Sequence, residues 1–416
     1  MKPLHEFTEE LYRCIRCGSC TAVCPIFSVE KREMSVARGR LRLVREHLAG
    51  NLDLTPKMRD YLDLCLGCRA CVVSCPPQVP TDKIIRAARA HFAIKKGQPL
   101  VRHILLKNVL VKPKHFTLVL DSLKLARRTG VNRLLPKTLK TKEDILPQLP
   151  KNTFRELLKG IELKKSDKKV GFFLSCMDNN VYPQVLRAAI NILEKLDYEV
   201  VIPTKVVCCG AAHDNYGDVE NARKLAWQNI EAFSATGVDV ILTDCATCGS
   251  TMQSYGELFQ GKSEEAEALS FVSKVMDINQ FLSDKLPSVS ECAETTVTYH
   301  DPCHLVRYQN VREAPRKVLE SAGVNFKEMA EADRCCGGGG TFNIFHYDIS
   351  MKILDRKIEN VKQTGASVLA TSCPACRIQL EHGIKRHGLT IEVLHPIEVL
   401  EKSYLKEGGV PKIEIR

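Results

Sequence analysis

The chain has 416 residues, 44% of them apolar, with 19 cysteines and a net charge of +11. That length allows about two to four domains; no apolar run reaches the ~18–20 residues of a membrane span, and the opening MKPLHEFTEE lacks a secretion signal's apolar stretch, so the chain is expected in the cytoplasm or peripherally on the inner face of a membrane. Cytoplasmic thiols are kept reduced, which disfavours a disulfide framework and makes metal binding the first reading of the cysteines.

The first elements are two cysteine runs. CIRCGSCTAVCP supplies Cys14, Cys17, Cys20 and Cys24, and CLGCRACVVSCP supplies Cys65, Cys68, Cys71 and Cys75. Both read C-x2-C-x2-C-x3-C-P, the bacterial ferredoxin run for [4Fe–4S] clusters. Three thiolates on a tight loop reach three corners of one cube, and the fourth, turned by the proline, points to the other cluster. On that pattern one cluster takes Cys14, Cys17, Cys20 and Cys75. The other takes Cys65, Cys68, Cys71 and Cys24. Zinc is the competing metal, but it favours two separated C-x2-C pairs. Between the runs, SVARGRLRLVREHLAG has helical spacing, and TPKMRDYLDLC reads as a helix with Pro56 in its first turn. A helical insert resembles the α-helical ferredoxin domains of the succinate dehydrogenase iron–sulfur type.

A basic segment follows. From Lys95 to Lys169 there are 20 Lys or Arg against 6 Asp or Glu. Nucleic acid is not the expected partner, because stacking aromatics are sparse there and no known module fits. A solvated helical linker is the plain reading, and docking to an acidic partner or anionic membrane is the other. Leu100 to Leu125 mixes apolar and basic residues, as a helix pair packed between two modules or laid on a membrane would.

The remaining sequence is duplicated. Cys176, Cys208, Cys209, Cys245 and Cys248 recur as Cys303, Cys335, Cys336, Cys373 and Cys376, offset by 127 or 128 positions. VGFFLS precedes Cys176 and TVTYH precedes Cys303; VDVILTD precedes Cys245 and ASVLATS precedes Cys373. These read as buried strands. PQVLRAAINILEKL and ISMKILDRKIENV read as helices between them. The alternation implies parallel sheets, with the cysteines just past the strands' carboxyl ends.

Cys335 and Cys336 begin CCGGGG, whereas Cys209 is followed by Gly210 and then Ala211. Adjacent thiols meet one centre only from a sharply bent backbone, which glycine permits. The glycine run is not a phosphate loop, since it lacks the G-x-G-x-x-G spacing and a following Lys-Ser/Thr. Zinc would use four of five thiols, a redox disulfide two, and a multi-iron centre all five; spacing alone leaves the three open.

These sets resemble the cysteine-rich CCG domain. The order of two ferredoxin runs and two CCG copies resembles the iron–sulfur subunit of glycolate oxidase and related D-lactate dehydrogenases. It also resembles the catalytic subunit of heterodisulfide reductase and the C subunit of anaerobic glycerol-3-phosphate dehydrogenase. The resemblance implies one or two further iron–sulfur centres, noncubane [4Fe–4S] in the heterodisulfide reductases, held by each set of five cysteines. It implies electron transfer between a separate FAD subunit and a quinone or other acceptor. A membrane quinone-linked or haem subunit, or an electron-transfer flavoprotein, is the further partner it suggests. A disulfide reductase with Cys303, Cys335 and Cys336 as catalytic residues is the alternative. No flavin or nicotinamide fingerprint is present, so organic chemistry is expected on another subunit.

The expected fold is α followed by α/β. A helical ferredoxin domain spans 1–95, a basic helical linker 96–168, and two pseudo-twofold α/β CCG domains 169–290 and 291–416. His300, Asp301 and His304 flank Cys303 and are expected to cap a helix and bond locally, with proton transfer the sharper reading. Trp227 is expected in the core, and Cys292 as a plain thiol outside both sets.

Overall fold

The computed structural model describes residues 2–134, 136–286 and 293–406. Cys292 lies outside the described residues. No described helix is long and apolar enough to cross a membrane.

The N-terminal part is helical, as the insert between the cysteine runs implies. Helices Ala37–Leu48, Pro56–Asp63 and Thr81–Lys96 bury Leu41, Val44, Met58, Leu62, Ile84 and Ile85 in one core. The second helix starts where the sequence signals it. Thr55 Oγ1 accepts from the Met58 amide at 3.2 Å, and Pro56 follows at the first helical position. In the basic segment, helix Leu100–Ile104 runs through a π-helical turn at Leu105–Leu110 into helix Pro113–Thr129. Only one side of it packs: Leu106 and Leu120 are buried, while Leu100, Val101, Ile104, Leu118, Val119 and Leu125 are exposed.

Two four-stranded parallel sheets follow, built alike. The first holds β1 Lys169–Phe172, β2 Glu199–Val201, β3 Ile241–Thr243 and β4 Val275–Asp277, in the order β2-β1-β3-β4. The second holds β5 Ala293–Tyr299, β6 Val324–Phe326, β7 Val368–Ala370 and β8 Glu392–Leu394, in the order β6-β5-β7-β8. Central strands β3 and β7 are buried along their whole length, as strands covered on both faces must be. Helices join the strands, among them Pro183–Lys195, Val219–Ser234 and Tyr347–Gln363. Trp227 is half-buried against Phe259, ring centroids 5.7 Å apart.

The two copies share one apolar core. Phe172 and Leu193 of the first lie in the same cluster as Tyr299, Leu319 and Leu400 of the second. The helical part is fixed to them by helix Thr81–Lys96. Its Arg89 donates to Leu62 O at 2.8 Å, Cys65 O at 2.7 Å and Asn215 Oδ1 at 2.6 Å. One buried guanidinium thus ties the second cysteine run to the first α/β copy.

Candidate metal centres

In both ferredoxin runs the backbone is left-handed on each side of the second cysteine. Arg16 and Gly18 flank Cys17, and Gly67 and Arg69 flank Cys68, with φ between 57° and 89°. This curl turns three thiols to one side of a short loop, and the fourth cysteine follows a turn of helix. A cavity beside the first loop is lined by Cys14, Cys17, Cys20, Cys71 and Cys75, and by Arg38. Both Cys71 and Cys75 of the second run thus reach the first loop. Cys24 crosses the other way: its thiol is pushed up by burial and then by the nearby thiols of Cys68 and Cys65. Cys71 is pushed up by burial and by Cys65, Cys68 and Cys24.

The ten remaining cysteines sit where strands end. Cys176 follows β1, Cys245 follows β3, Cys303 follows β5 and Cys373 follows β7. These are the two strands at which each sheet's order reverses, where crevices form at carboxyl ends. Cys208, Cys209, Cys335 and Cys336 come in on the long turns after β2 and β6. Gly210 and Gly337 make the bend next to them, at φ 87° and 86°. The extra glycines of the second copy let the chain pass between neighbours. A Cβ on Gly338 would lie 3.3 Å from Ala375 O, and one on Gly339 would lie 2.7 Å from Leu66 Cδ2. The opposing Leu66 belongs to the second ferredoxin run.

The thiols form a continuous series. Cys176 touches Cys208, which touches Cys209, then Cys248 and Cys245. Cys245 touches Cys373, and the series continues through Cys376, Cys336 and Cys335. Cys335 meets both Cys303 and Cys68. Cys245 and Cys373 are equivalent positions in the two copies, so they meet where a twofold relation between the copies would put its axis. Thr247 Oγ1 lies 3.3 Å from Cys373 Sγ, and the Ala246 amide donates to Ser372 O at 2.9 Å.

Sulfur contacts set the protonation of these thiols. Cys176 and Cys209 hold Cys208 well below its ordinary pKa; Cys335 and Cys376 do so for Cys336, and Cys245 and Cys376 for Cys373. Their partners Cys176, Cys209 and Cys376 are pushed up, by the neighbouring sulfurs and then by burial. Buried thiolates in contact need positive charge beside them. Soft, closely grouped sulfur donors suit iron–sulfur clusters or zinc, not hard cations. Such sulfur-rich donor sets fit iron–sulfur clusters.

The chain matches the 4Fe-4S dicluster domain over residues 10–79. It matches the Cysteine-rich domain twice, over residues 170–253 and 297–381. It is 33% identical to the "Probable glycolate oxidase iron-sulfur subunit" of Bacillus subtilis (strain 168), over 95% of this chain and 96% of that one. The chain belongs to the family of glycolate oxidase iron–sulfur subunits. The "Glycolate oxidase iron-sulfur subunit" of Escherichia coli (strain K12) is 27% identical over 95% of both chains. "Lactate utilization protein A" of Oceanobacillus iheyensis is 32% identical, over 58% of this chain and 99% of that protein. The protein is thus an iron–sulfur electron-transfer subunit of an oxidoreductase, with the dicluster domain preceding two cysteine-rich copies.

The subunit's second cysteine-rich copy has neighbours that the first lacks. Asp301 does not cap a helix. Its carboxylate takes a bidentate pair from Arg316, at 3.0 and 2.9 Å. His304 places Nδ1 3.5 Å from Cys303 Sγ and stacks on Tyr308, centroids 4.7 Å apart. His300 is fully buried, and burial pushes its pKa down to about 3, so the ring is neutral. Lys357, also fully buried, donates to Ala332 O at 3.2 Å; burial lowers its pKa to about 8, against the pull of Cys336 and Cys335. Sequence reasoning missed Lys357, although it interrupts the apolar stripe of Leu354, Ile358 and Val361. It also missed a buried acid group between the copies. Asp178 is pushed up to about 7 and Asp277 to about 6, both chiefly by burial.

Proposed function

We propose that this subunit serves a 2-hydroxyacid oxidoreductase acting on glycolate or D-lactate. A separate FAD-containing subunit would oxidise the substrate, and a quinone or other acceptor, reached through a membrane or electron-transfer flavoprotein partner, would receive the electrons. Cys14, Cys17, Cys20 and Cys75 hold one [4Fe–4S] cluster in this reading, and Cys24, Cys65, Cys68 and Cys71 the other. Cys176, Cys208, Cys209, Cys245 and Cys248 hold the first CCG centre, and Cys303, Cys335, Cys336, Cys373 and Cys376 the second. Such groups supply one-electron transfer when bound.

The chain's own contribution is order and exclusion of water. The observation that carries the reading is the closeness of Cys68 to Cys335, buried together in one apolar cluster. It brings a ferredoxin thiol beside a CCG thiol, which supports one series of sites over two separate modules. Nine of the ten CCG thiols are buried and Cys176 is half-buried. Leu64, Leu66, Phe342 and Ile353 enclose the Cys68–Cys335 junction in an apolar cluster. The relatives' names, glycolate oxidase and lactate utilization, support the hydroxyacid.

The test is an anaerobic purification from native cells with iron, zinc, flavin and partner analysis. The expected result is a flavoprotein partner, more than the roughly eight irons of two cubane clusters, and EPR signals that appear on adding glycolate or D-lactate. Clusters that stay oxidised with both hydroxyacids while the partner flavin is reduced would sink the relay reading. Zinc in the CCG sites would sink the proposed centres.

A further inference from the structure

The two cysteine-rich copies carry the same five thiols in different surroundings. His300 stands three residues before Cys303, and Phe173 stands three residues before Cys176. Both side chains are fully buried. Phe173 lies in an apolar cluster with Cys209, Cys245 and Cys248, where a phenyl ring needs no polar partner. An imidazole in the matching place does. A neutral ring has one N–H to donate and one nitrogen to accept.

Neither ring nitrogen of His300 makes a well-formed hydrogen bond, although the Ala332 carbonyl lies beside the ring as an acceptor of poor geometry. An unpaired buried polar group costs about 1–3 kcal/mol, so a fully enclosed histidine whose nitrogens are so poorly satisfied calls for a ligand. The protein acceptor beside the ring is a carbonyl already in use. The Ala332 carbonyl beside the ring already accepts from the Asp301 amide at 3.1 Å and from Lys357 Nζ at 3.2 Å. What remains is sulfur. A ring nitrogen of His300 and the Sγ atoms of Cys336 and Cys376 all lie within 4.8 Å of one another. Donors bound to one metal at about 2.0–2.3 Å are closer still, so the three would draw together by about an ångström to share an ion. Imidazole serves iron well, and it replaces thiolate on iron in some iron–sulfur proteins.

A second difference lies on the same side. Sixteen residues before Cys373 stands Lys357, and sixteen before Cys245 stands Asn229. Asn229 is spent on the backbone of its own loop, accepting from the Val207 amide at 2.9 Å and donating to Cys208 O at 3.1 Å. The second copy thus gathers a neutral nitrogen donor and an amine near sulfurs that the first surrounds with a phenyl ring and an amide.

We propose that a ring nitrogen of His300 is a ligand of the metal centre held by the second cysteine-rich copy, alongside Cys336 and Cys376, and that it makes this centre chemically distinct from the first. The proposal rests on the iron–sulfur reading of the CCG sites. The two centres, equal in thiols, then differ by one neutral ligand that adds no negative charge.

Pulse EPR on the anaerobic full-length protein, with its own clusters, tests this. Protein grown with 15N-histidine is compared with unlabelled protein, each centre being poised in its paramagnetic state. The expected result is a strongly coupled nitrogen that changes with the label. It should vanish in His300→Phe, which installs the first copy's residue, and persist in His304→Phe, whose ring lies beside Cys303. The labelled wild-type comparison stands even if a variant fails to fold. No strongly coupled histidine nitrogen, or one lost with His304 and kept without His300, overturns the proposal. Iron analysis separates the two levels. Iron above the roughly eight atoms of two cubane clusters without nitrogen coupling removes the ligand alone. Iron at that level removes the iron–sulfur reading of the CCG sites and the ligand with it.

Discussion

Cys335 touches sulfur from two different sites, meeting Cys303 and Cys336 of its own set and Cys68 of the second ferredoxin run. The glycines after it make that meeting possible, and they are not equivalent. Gly337 is left-handed, and a Cβ there would come within 2.9 Å of Ser350 O. Ser350 is fixed in turn, donating from Oγ to Gly337 O at 2.9 Å and accepting from Gln379 Nε2 at 2.9 Å. Gly340 is also left-handed but has open space around it. Gly340→Ala should cost only the backbone strain, about 1–2 kcal/mol. Gly337→Ala adds a clash with backbone and should cost more, with iron lost selectively from the second copy. Unfolding midpoints of the two variants, with iron counts, check the ranking; equal losses would mean that the clash is relieved by movement.

At the scale of elements, the cysteine runs, the duplication and the alternation of strands and helices were all legible. They rest on local spacing and on apolar periods of two and 3.6 residues. The two outer strands of each sheet, β2 with β4 and β6 with β8, were not. β4 is three residues long and follows helix Glu265–Lys274 without a break, and β8 ends only in Glu392–Leu394. Runs that short carry no period, and pairing with β3 and β7 makes them strands. Asp301 was misread for a related reason. Asp-Pro before a cysteine looks like a cap, but Arg316, fifteen residues on, claims the carboxylate. The packing of the helical part was equally hidden, because its ties join residues more than a hundred positions apart. Arg89 is one of them, reaching Asn215 of the first α/β copy as well as the Leu62, Asp63 and Cys65 carbonyls of its own module. Arg89→Met would strand those acceptors and remove one partner of Asp63, which Arg102 still holds at 2.8 Å. We expect a loss of about 3–5 kcal/mol, as for other broken buried charge networks, with loosening of the Cys65 loop. Chemical unfolding of the anaerobic protein measures it; a change under 1 kcal/mol would show that the helix is held mainly by its apolar face.

Across the whole molecule, the thiol series has one open end. Of the described cysteines only Cys17 is exposed, and it lies on the first ferredoxin loop. Exposed Ile15 lines the cavity of that site, and exposed Val73 sits between Cys71 and Cys75 on the other run. Apolar side chains around an accessible redox site suit a transient protein contact. The linker offers a rival surface, larger and basic, with Leu118, Val119 and Leu125 exposed among lysines and arginines. The two surfaces predict different things. An electron-donating partner has to approach the exposed thiol, because transfer demands proximity, whereas an anchoring surface can lie anywhere. Ile15→Glu with Val73→Glu should therefore slow cluster reduction by the flavoprotein by about tenfold, or ~1.4 kcal/mol of barrier, with cluster spectra unchanged. Leu118→Glu with Leu125→Glu should leave that rate intact and weaken attachment to anionic vesicles or to the complex. Stopped-flow reduction of each pair of variants decides between them. Slowed reduction in the linker pair alone would move the electron contact to the basic helices and leave the open thiol as a solvent-facing end.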